Sequence, residues 1–474
     1  MQLHFRDDAP SSAAVDLLAV GLSPQGALSA ELGAFGEALR AALQAEEVTG
    51  DTGRSQAWPT FGQLPARRVV VVGLGDGSPE ALRRAAGLAG QAARAAGDKT
   101  VALAFGPLEG PGLTAAYEGY CAGNYRDDRY RAESARKAPT AELTLLGVSE
   151  GDLRLAKAVA DGQELARALV NAPAEELYPE TLADIARGLE ADGLQVEVWD
   201  EHQIRAAGMG GISAVGQGSD RPARFIHIRY TPAGAARKRL GIIGKGVTFD
   251  SGGLSLKTPD GMLTMRCDMA GSAAVVGVMK AIAALKPDVE VHGIIGAVEN
   301  MLGGRAYKLG DVLRMHNGKT VEVHNTDAEG RLVLGDCLSY ASGLGLDAMV
   351  DIATLTGACV VALGDLYSAL YSHQDDVADS ILAAAKDGGE LVWRMPLEVA
   401  YKERLKADFA TMKNVGGPPG GSITAALFLS EFVGSTPWAH LDIAGPAFFS
   451  KTTRHYAPGG TGCMVPTLTR WLLA

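Results

Sequence analysis

Short β-branched runs alternate with longer alanine-rich stretches along most of this chain. The run Arg68-Val69-Val70-Val71-Val72-Gly73 has no polar position in its middle, which predicts a strand buried on both faces of a parallel sheet. The stretch from Pro79 to Ala96 predicts a helix, and Thr100 to Phe105 a second strand. A longer helix is predicted over Leu153 to Val170, stopped by Asn171-Ala172-Pro173. Beyond it, strands are predicted at Arg239–Ile243, Val289–Val298, Thr320–His324 and Ala348–Ile352, and helices at Ser272–Leu285 and Gly330–Ala341. This β-loop-α rhythm predicts an α/β fold. The turn Gly73-Leu74-Gly75-Asp76-Gly77 has only GxGxG spacing and no acidic residue placed for a ribose, so it reads as a tight strand-to-helix turn.

At 474 residues the chain exceeds one typical core. A smaller N-terminal α/β domain is expected over residues 1–148 and a larger C-terminal α/β domain, with a mixed, mostly parallel central sheet, over 149–474. The charged stretch Tyr125–Lys137 and the segment Ser149–Asp152 read as the connection between them. No run approaches the roughly 18–20 consecutive apolar residues of a membrane span, and Met1–Asp8 lacks the pattern of a secretory signal. Cys121, Cys267, Cys337, Cys359 and Cys463 form no CxxC pair, which points to reduced thiols and a cytoplasmic protein. The formal charge of −11 disfavours nucleic acid as a partner.

Chemistry concentrates in Asn325-Thr326-Asp327-Ala328-Glu329-Gly330-Arg331-Leu332. Two carboxylates stand two residues apart, with a guanidinium two further on. In extended backbone such neighbours point the same way, so Asp327 and Glu329 are expected to converge on one ion. A second cluster lies upstream: Lys245-Gly246-Val247-Thr248-Phe249-Asp250-Ser251-Gly252-Gly253, followed by Lys257 and Asp268. The first is expected to follow the strand Thr320–His324 and the second to leave the end of Arg239–Ile243. Ligand sites of open α/β sheets form at such carboxyl ends. Four carboxylates this dense repel one another unless a cation neutralises them. The set holds no histidine or cysteine, which suits Mn²⁺ or Mg²⁺, and Zn²⁺ also fits. A lysine here, Lys245 or Lys257, is either a deprotonated ligand or a fixed positive charge. Two metals sharing carboxylates activate water and polarise a carbonyl, so the inventory is that of a two-metal hydrolase. Helix capping accounts for single aspartates but not for two lysines and so many glycines.

The chain resembles the leucyl (cytosol) aminopeptidase family, peptidase family M17. The resemblance rests on Asn325–Leu332, Gly244-Lys245-Gly246, Phe249–Gly253, Asp268-Met269, Ala353–Ala358, Lys413–Gly417 and His440–Gly445, and it extends from about Leu169 to the C-terminus. It implies an aminopeptidase that releases N-terminal leucine and other apolar residues from peptides. Two divalent ions, Mn²⁺ or Zn²⁺, are implied. Lys245, Asp250, Asp268 and Glu329 would hold one; Asp250, Asp327 and Glu329 would hold the other. Lys257 would stabilise the charge developing on the attacked carbonyl. Arg331 would anchor a bicarbonate acting as general base, helped by amides near Ala328, Gly330 and Leu355. Met265, Thr354, Leu355, Gly357 and Ala444 would line the substrate site. Pro418 and Pro446-Ala447 depart from the residues usual in the family and bear on side-chain preference. A homohexamer is implied, without membrane association.

Two other functions share parts of this reading. Some bacterial members of the family also bind DNA, a role the acidic balance disfavours. A metal-dependent phosphoryl hydrolase shares the carboxylates but would need a phosphate-cradling loop. Cys267 is expected to point away from Asp268, as strand neighbours do. Cys337 reads as core. His324 and His440 read equally well as supports for the ligands or as packing.

Overall fold

The computed structural model describes residues 1–474. Six strands form the N-terminal sheet: β1 (Gln2–Arg6), β2 (Leu17–Leu22), β3 (Ser55–Pro59), β4 (Arg68–Gly73), β5 (Thr100–Ala104) and β6 (Glu142–Leu146), in the order β1-β6-β5-β2-β4-β3. All pairings are parallel except β3 with β4. The predicted strand at Arg68–Gly73 and helix at Pro79–Ala96 form with those bounds. Ser78 caps the helix by accepting from the Ala81 amide, and Gly97 ends it at φ 78°. The charged stretch Tyr125–Lys137 is not a connection between domains. The next strand, β6, returns to pair with β1 and β5, so the stretch is a loop inside the N-terminal unit.

Two compact units divide the chain, one formed by Met1–Ala160 with Phe449–Pro458, the other by Asp161–Phe448 with Gly459–Ala474. The division falls inside the helix Arg154–Asn171.

The second unit's two larger sheets are built from β7 (Gln195–Trp199), β8 (Arg224–Tyr230), β9 (Arg239–Asp250), β10 (Glu290–Asn300), β11 (Val312–Arg314), β12 (Thr320–Glu322), β13 (Ala348–Ala353), β14 (Ser368–Tyr371), β15 (Val392–Arg394), β16 (Met412–Lys413) and β17 (Trp438–Asp442). Eight make one mixed sheet, ordered β15-β14-β17-β13-β9-β10-β8-β7, whose centre from β17 to β10 is parallel. β9 and β10 are buried along almost their whole length, as sheets covered on both faces require. The helix Ala270–Leu285 packs on this sheet. Gly244 and Gly271 permit the approach: a Cβ on Gly271 would stand 2.0 Å from the Ile352 carbonyl oxygen. By length and composition Pro259–Leu285 would suffice to cross a membrane, but 83% of its apolar window is buried inside the protein.

Two sequence expectations about this unit need correction. The Lys245–Asp250 cluster does not follow a strand; β9 runs to Asp250 and carries it. The strand before the Asn325 motif is short and belongs to a separate three-stranded sheet, β11-β12-β16, rather than to the main one.

Candidate metal centre and substrate cavity

Lys245 and Asp250 lie five apart on β9, and strict alternation would send them to opposite faces. A bulge prevents this. Val247 pairs with Val298 and Phe249 with Glu299, so Thr248 is the extra residue. Beyond it the alternation is reset: Lys245 sits beside Gly296 and Asp250 beside Asn300, positions four apart on β10 that share a face. Gly252 and Gly253, at φ 85° and 62°, then turn the chain through backbone that side chains rarely adopt. Lys257 returns from this turn to the cluster.

Asp327 and Glu329 do converge, though not through extended backbone. Residues 326 and 327 form a turn, and Glu329 is already helical at φ −75°, ψ −37° as the helix Gly330–Ser342 begins. Carboxylate oxygens of Asp250, Asp327 and Glu329 lie within 4.8 Å of one another. Gly330 is required beside them: a Cβ there would stand 2.5 Å from Lys245 Cε. Asp268 comes from a 3₁₀ turn, Met265–Met269, not from a strand or an open loop. Cys267, its neighbour, therefore borders the same cavity instead of facing away, and burial pushes its thiol up to about 12.

Two lysines bind the carboxylates together. Lys245 Nζ donates to Asp268 Oδ1 at 2.8 Å and the Thr354 carbonyl at 2.8 Å, and lies 3.0 Å from Glu329 Oε1. Lys257 Nζ is 2.8 Å from Asp250 Oδ2 and 2.5 Å from Asp327 Oδ1. Burial pulls both ammonium groups down, but the carboxylates outweigh it and hold them above the usual lysine range. Burial raises the carboxyls of Asp268, Glu329 and Asp327, only partly countered by the lysines. Four carboxylates face two ammonium groups, and buried Asp268 Oδ2 and Glu329 Oε2 have no hydrogen-bond donor. Unpartnered buried carboxylate oxygens are costly. The residues present thus fit divalent cations.

A cavity of about 940 Å³ opens over the cluster. Met265, Thr354, Leu355, Gly357 and Ala444 all border it, as does Pro418. Thr354 faces the carboxylates as well: its hydroxyl donates to Asp268 Oδ1 at 2.8 Å. Arg331 is buried at the same cavity, its Nη1 donating to the Asn414 carbonyl at 2.8 Å, and burial lowers its pKa to about 10. Two of the amides expected near an anion are engaged within the chain: Leu355 N–H donates to Asp442 Oδ1 at 3.2 Å and Ala328 N–H to the Asn325 carbonyl at 3.3 Å. Cys337 is fully buried core. His440 is also fully buried, 2.6 Å from Asp351 Oδ1, and His324 lies 3.0 Å from Glu322 Oε1.

The sequence reading missed the residues that join the two clusters. Asn300 Nδ2 donates to Asp250 Oδ1 at 2.8 Å and to the Thr326 carbonyl at 3.0 Å. Tyr307 Oη donates to that same carbonyl at 2.7 Å, and Thr326 Oγ1 to the Gly252 carbonyl at 2.7 Å. Asn414 accepts from the His324 amide at 2.8 Å and donates to the Asn325 carbonyl at 2.7 Å. A polar residue ending a strand next to Met301-Leu302-Gly303-Gly304 was the available signal for Asn300.

Residues 164–469 match the family model described as "Cytosol aminopeptidase family, catalytic domain", and residues 19–134 its N-terminal domain. The chain is 46% identical over 477 residues to a protein of Nostoc punctiforme named "Probable cytosol aminopeptidase", covering 97% of this chain and 96% of that one. A protein of the same name from Thermosynechococcus vestitus is 47% identical over 440 residues, covering 90% and 88%. A solved structure of a tomato leucine aminopeptidase mutant superposes with TM-score 0.90 at 34% identity, covering 100% of this chain and 96% of that one. The bottromycin maturation enzyme BotP, solved in complex with Mn, gives TM-score 0.86 at 36% identity, covering 97% and 99%. This chain belongs to the cytosol aminopeptidase family, metal-dependent peptidases that release the N-terminal residue of peptides.

Proposed function

We propose that this chain preferentially releases N-terminal leucine and other apolar residues, using two divalent ions, Mn²⁺ or Zn²⁺. The observation that carries the proposal is the convergence of Asp250, Asp327 and Glu329 within 4.8 Å beside two lysines. Lys245, Asp250, Asp268 and Glu329 would hold one ion. Asp250, Asp327 (with its main-chain carbonyl) and Glu329 would hold the other. Bound there, the pair would supply an acidified water and a polarised carbonyl at neutral pH. The Mn complex of the similar BotP favours Mn²⁺.

The chain's own residues would do the rest. Lys257, with 18% of its side chain exposed beside Asp250 and Asp327, is placed to meet negative charge developing on the attacked carbonyl oxygen. Arg331 would hold a bicarbonate that takes the proton from water; no histidine is among the residues bordering the cavity. Met265, Gly357 and Ala444, with Thr354 and Leu355, would bound an apolar pocket for the leaving residue's side chain. Residues 149–474 would be the catalytic domain, acting in the cytoplasm as part of a homohexamer. Val361, Leu263 and Phe409 expose 90%, 81% and 82% of their surface, apolar area that association would cover.

A peptide with free N-terminal leucine, compared with the same peptide N-acetylated, tests the proposal. Free leucine should appear from the first alone. Equal cleavage of the acetylated peptide would overturn it.

A further inference from the structure

A second group of metal-competent side chains lies in the same sheet but away from the carboxylates. His292 of β10 pairs with Gly241 near the start of β9, whereas Gly296 and Asn300 pair with Lys245 and Asp250. His227 comes from β8, and both histidines border a separate cavity of about 510 Å³. His227 Nε2 lies 2.9 Å from His292 Nδ1. The remote nitrogen of each ring is held too: His227 Nδ1 is 3.2 Å from Tyr340 Oη, and His292 Nε2 is 2.9 Å from Glu290 Oε1.

We propose that His227 Nε2 and His292 Nδ1 are ligands of a further metal site, one that takes a borderline divalent ion such as Zn²⁺, Cu²⁺ or Ni²⁺. Metal-binding imidazoles are typically oriented by a carboxylate or another polar group on the remote nitrogen, and Glu290 and Tyr340 occupy those two places here. Imidazole pairs suit borderline ions, in contrast to the oxygen-dominated catalytic set. Two carboxylates, Glu190 and Glu197, border the cavity against two guanidiniums, Arg229 and Arg239, and Glu290 behind His292 adds a third carboxylate next to the pair. Glu197 pairs directly across from His227 and is the nearest acidic candidate by register to complete the set; it now accepts from Trp199 Nε1 at 2.6 Å.

Proton bookkeeping closes without gain or loss. With no ion, His227 Nε2–H donates to His292 Nδ1, His292 Nε2–H donates to Glu290, and Tyr340 O–H donates to His227 Nδ1. With an ion, His227 changes tautomer, and its Nδ1–H donates to the Tyr340 oxygen. Metal–nitrogen bonds of about 2.0–2.1 Å in tetrahedral geometry place the two nitrogens about 3.4 Å apart, so the rings separate by about half an ångström. Burial holds the His227 pKa down at about 4, which keeps the ring neutral at physiological pH.

Pulsed electron paramagnetic resonance of the full chain with one equivalent of Cu²⁺ tests this, because remote imidazole nitrogens modulate the echo and the catalytic set has no imidazole. Modulation from two imidazoles is expected, falling in both His227→Gln and His292→Gln. Leucine anilide hydrolysis by the variants, unchanged from the native chain, reports that they are folded. Glu290→Gln, which spares the ligands, should weaken Zn²⁺ binding at this site by about 10-fold or more. Absence of imidazole modulation in the native chain overturns the site, as does modulation that persists unchanged in both histidine variants.

Discussion

Replacing Asn300 by alanine should uncouple the two halves of the metal centre. Asn300 is fully buried at the end of β10, and its amide nitrogen binds Asp250 Oδ1 at 2.8 Å and the Thr326 carbonyl at 3.0 Å. The first bond fixes which lone pairs of Asp250 face the cluster; the second holds the turn that carries Asp327. A hydrogen bond to a charged group is worth about 1.5–3 kcal/mol, which at 1.4 kcal/mol per decade is about 10- to 150-fold in an equilibrium constant. That range coincides with the 10–100-fold typically lost when groups supporting a metal ligand are removed. The assay is Mn²⁺ reactivation of chelated enzyme, reading the concentration for half-maximal leucine anilide hydrolysis. It should rise at least about 10-fold in Asn300→Ala. Asn300→Asp, which keeps the shape but replaces the donor with a carboxylate beside Asp250, should cost at least as much. A rise of less than about threefold in both variants, well below the range for a lost supporting group, would show that Asn300 does not couple the two halves.

Three further outcomes are expected. Lys257→Met should lower kcat by about 10²–10³, the range for losing one donor to a developing oxyanion, with little change in KM; steady-state kinetics with a leucine anilide checks this. Asp442 binds the Leu355 and Ala444 amides at 3.2 Å each and the Thr356 hydroxyl at 2.7 Å. Asp442→Ala should therefore loosen both walls of the pocket and narrow the discrimination between leucine and alanine anilides, measured as the ratio of kcat/KM values. The His227 pKa is depressed by burial to about 4, so its neutral form contributes stability above the ordinary imidazole range, and that contribution is lost as pH falls through about 4. In urea unfolding with chelator present, the native chain should lose more stability than His227→Gln between about pH 6.5 and 4.

Local signals carried much of this structure. A six-residue β-branched run and a Pro-to-Ala alanine-rich stretch became β4 and the helix Pro79–Ala96 because propensity, capping and burial agree there. The two carboxylate clusters themselves were equally legible as a candidate site, since four acids and two lysines among glycines have few structural uses. How they meet was not. The bulge at Thr248 that returns Asp250 to the face of Lys245 depends on the register of β10, a strand some forty residues away (roughly the spacing of a parallel crossover). The turn at Asp327 was read as extended because i, i+2 spacing is compatible with both conformations. Asn300 and Asn414 are single polar residues whose roles exist only through partners distant in sequence. The charged stretch Tyr125–Lys137 resembled a linker because its composition is that of a loop, and only the return of β6 to the sheet reveals which side it belongs to.

Carboxylate-bound divalent ions are proposed to drive release of N-terminal residues. Leucine anilide hydrolysis measured before chelation, after exhaustive chelation and after Mn²⁺ or Zn²⁺ is returned tests this most directly, with Asp327→Ala run in parallel. Activity should vanish on chelation, return with metal, and never return in Asp327→Ala. Hydrolysis that survives exhaustive chelation, or proceeds at the native rate in Asp327→Ala, would contradict the proposal.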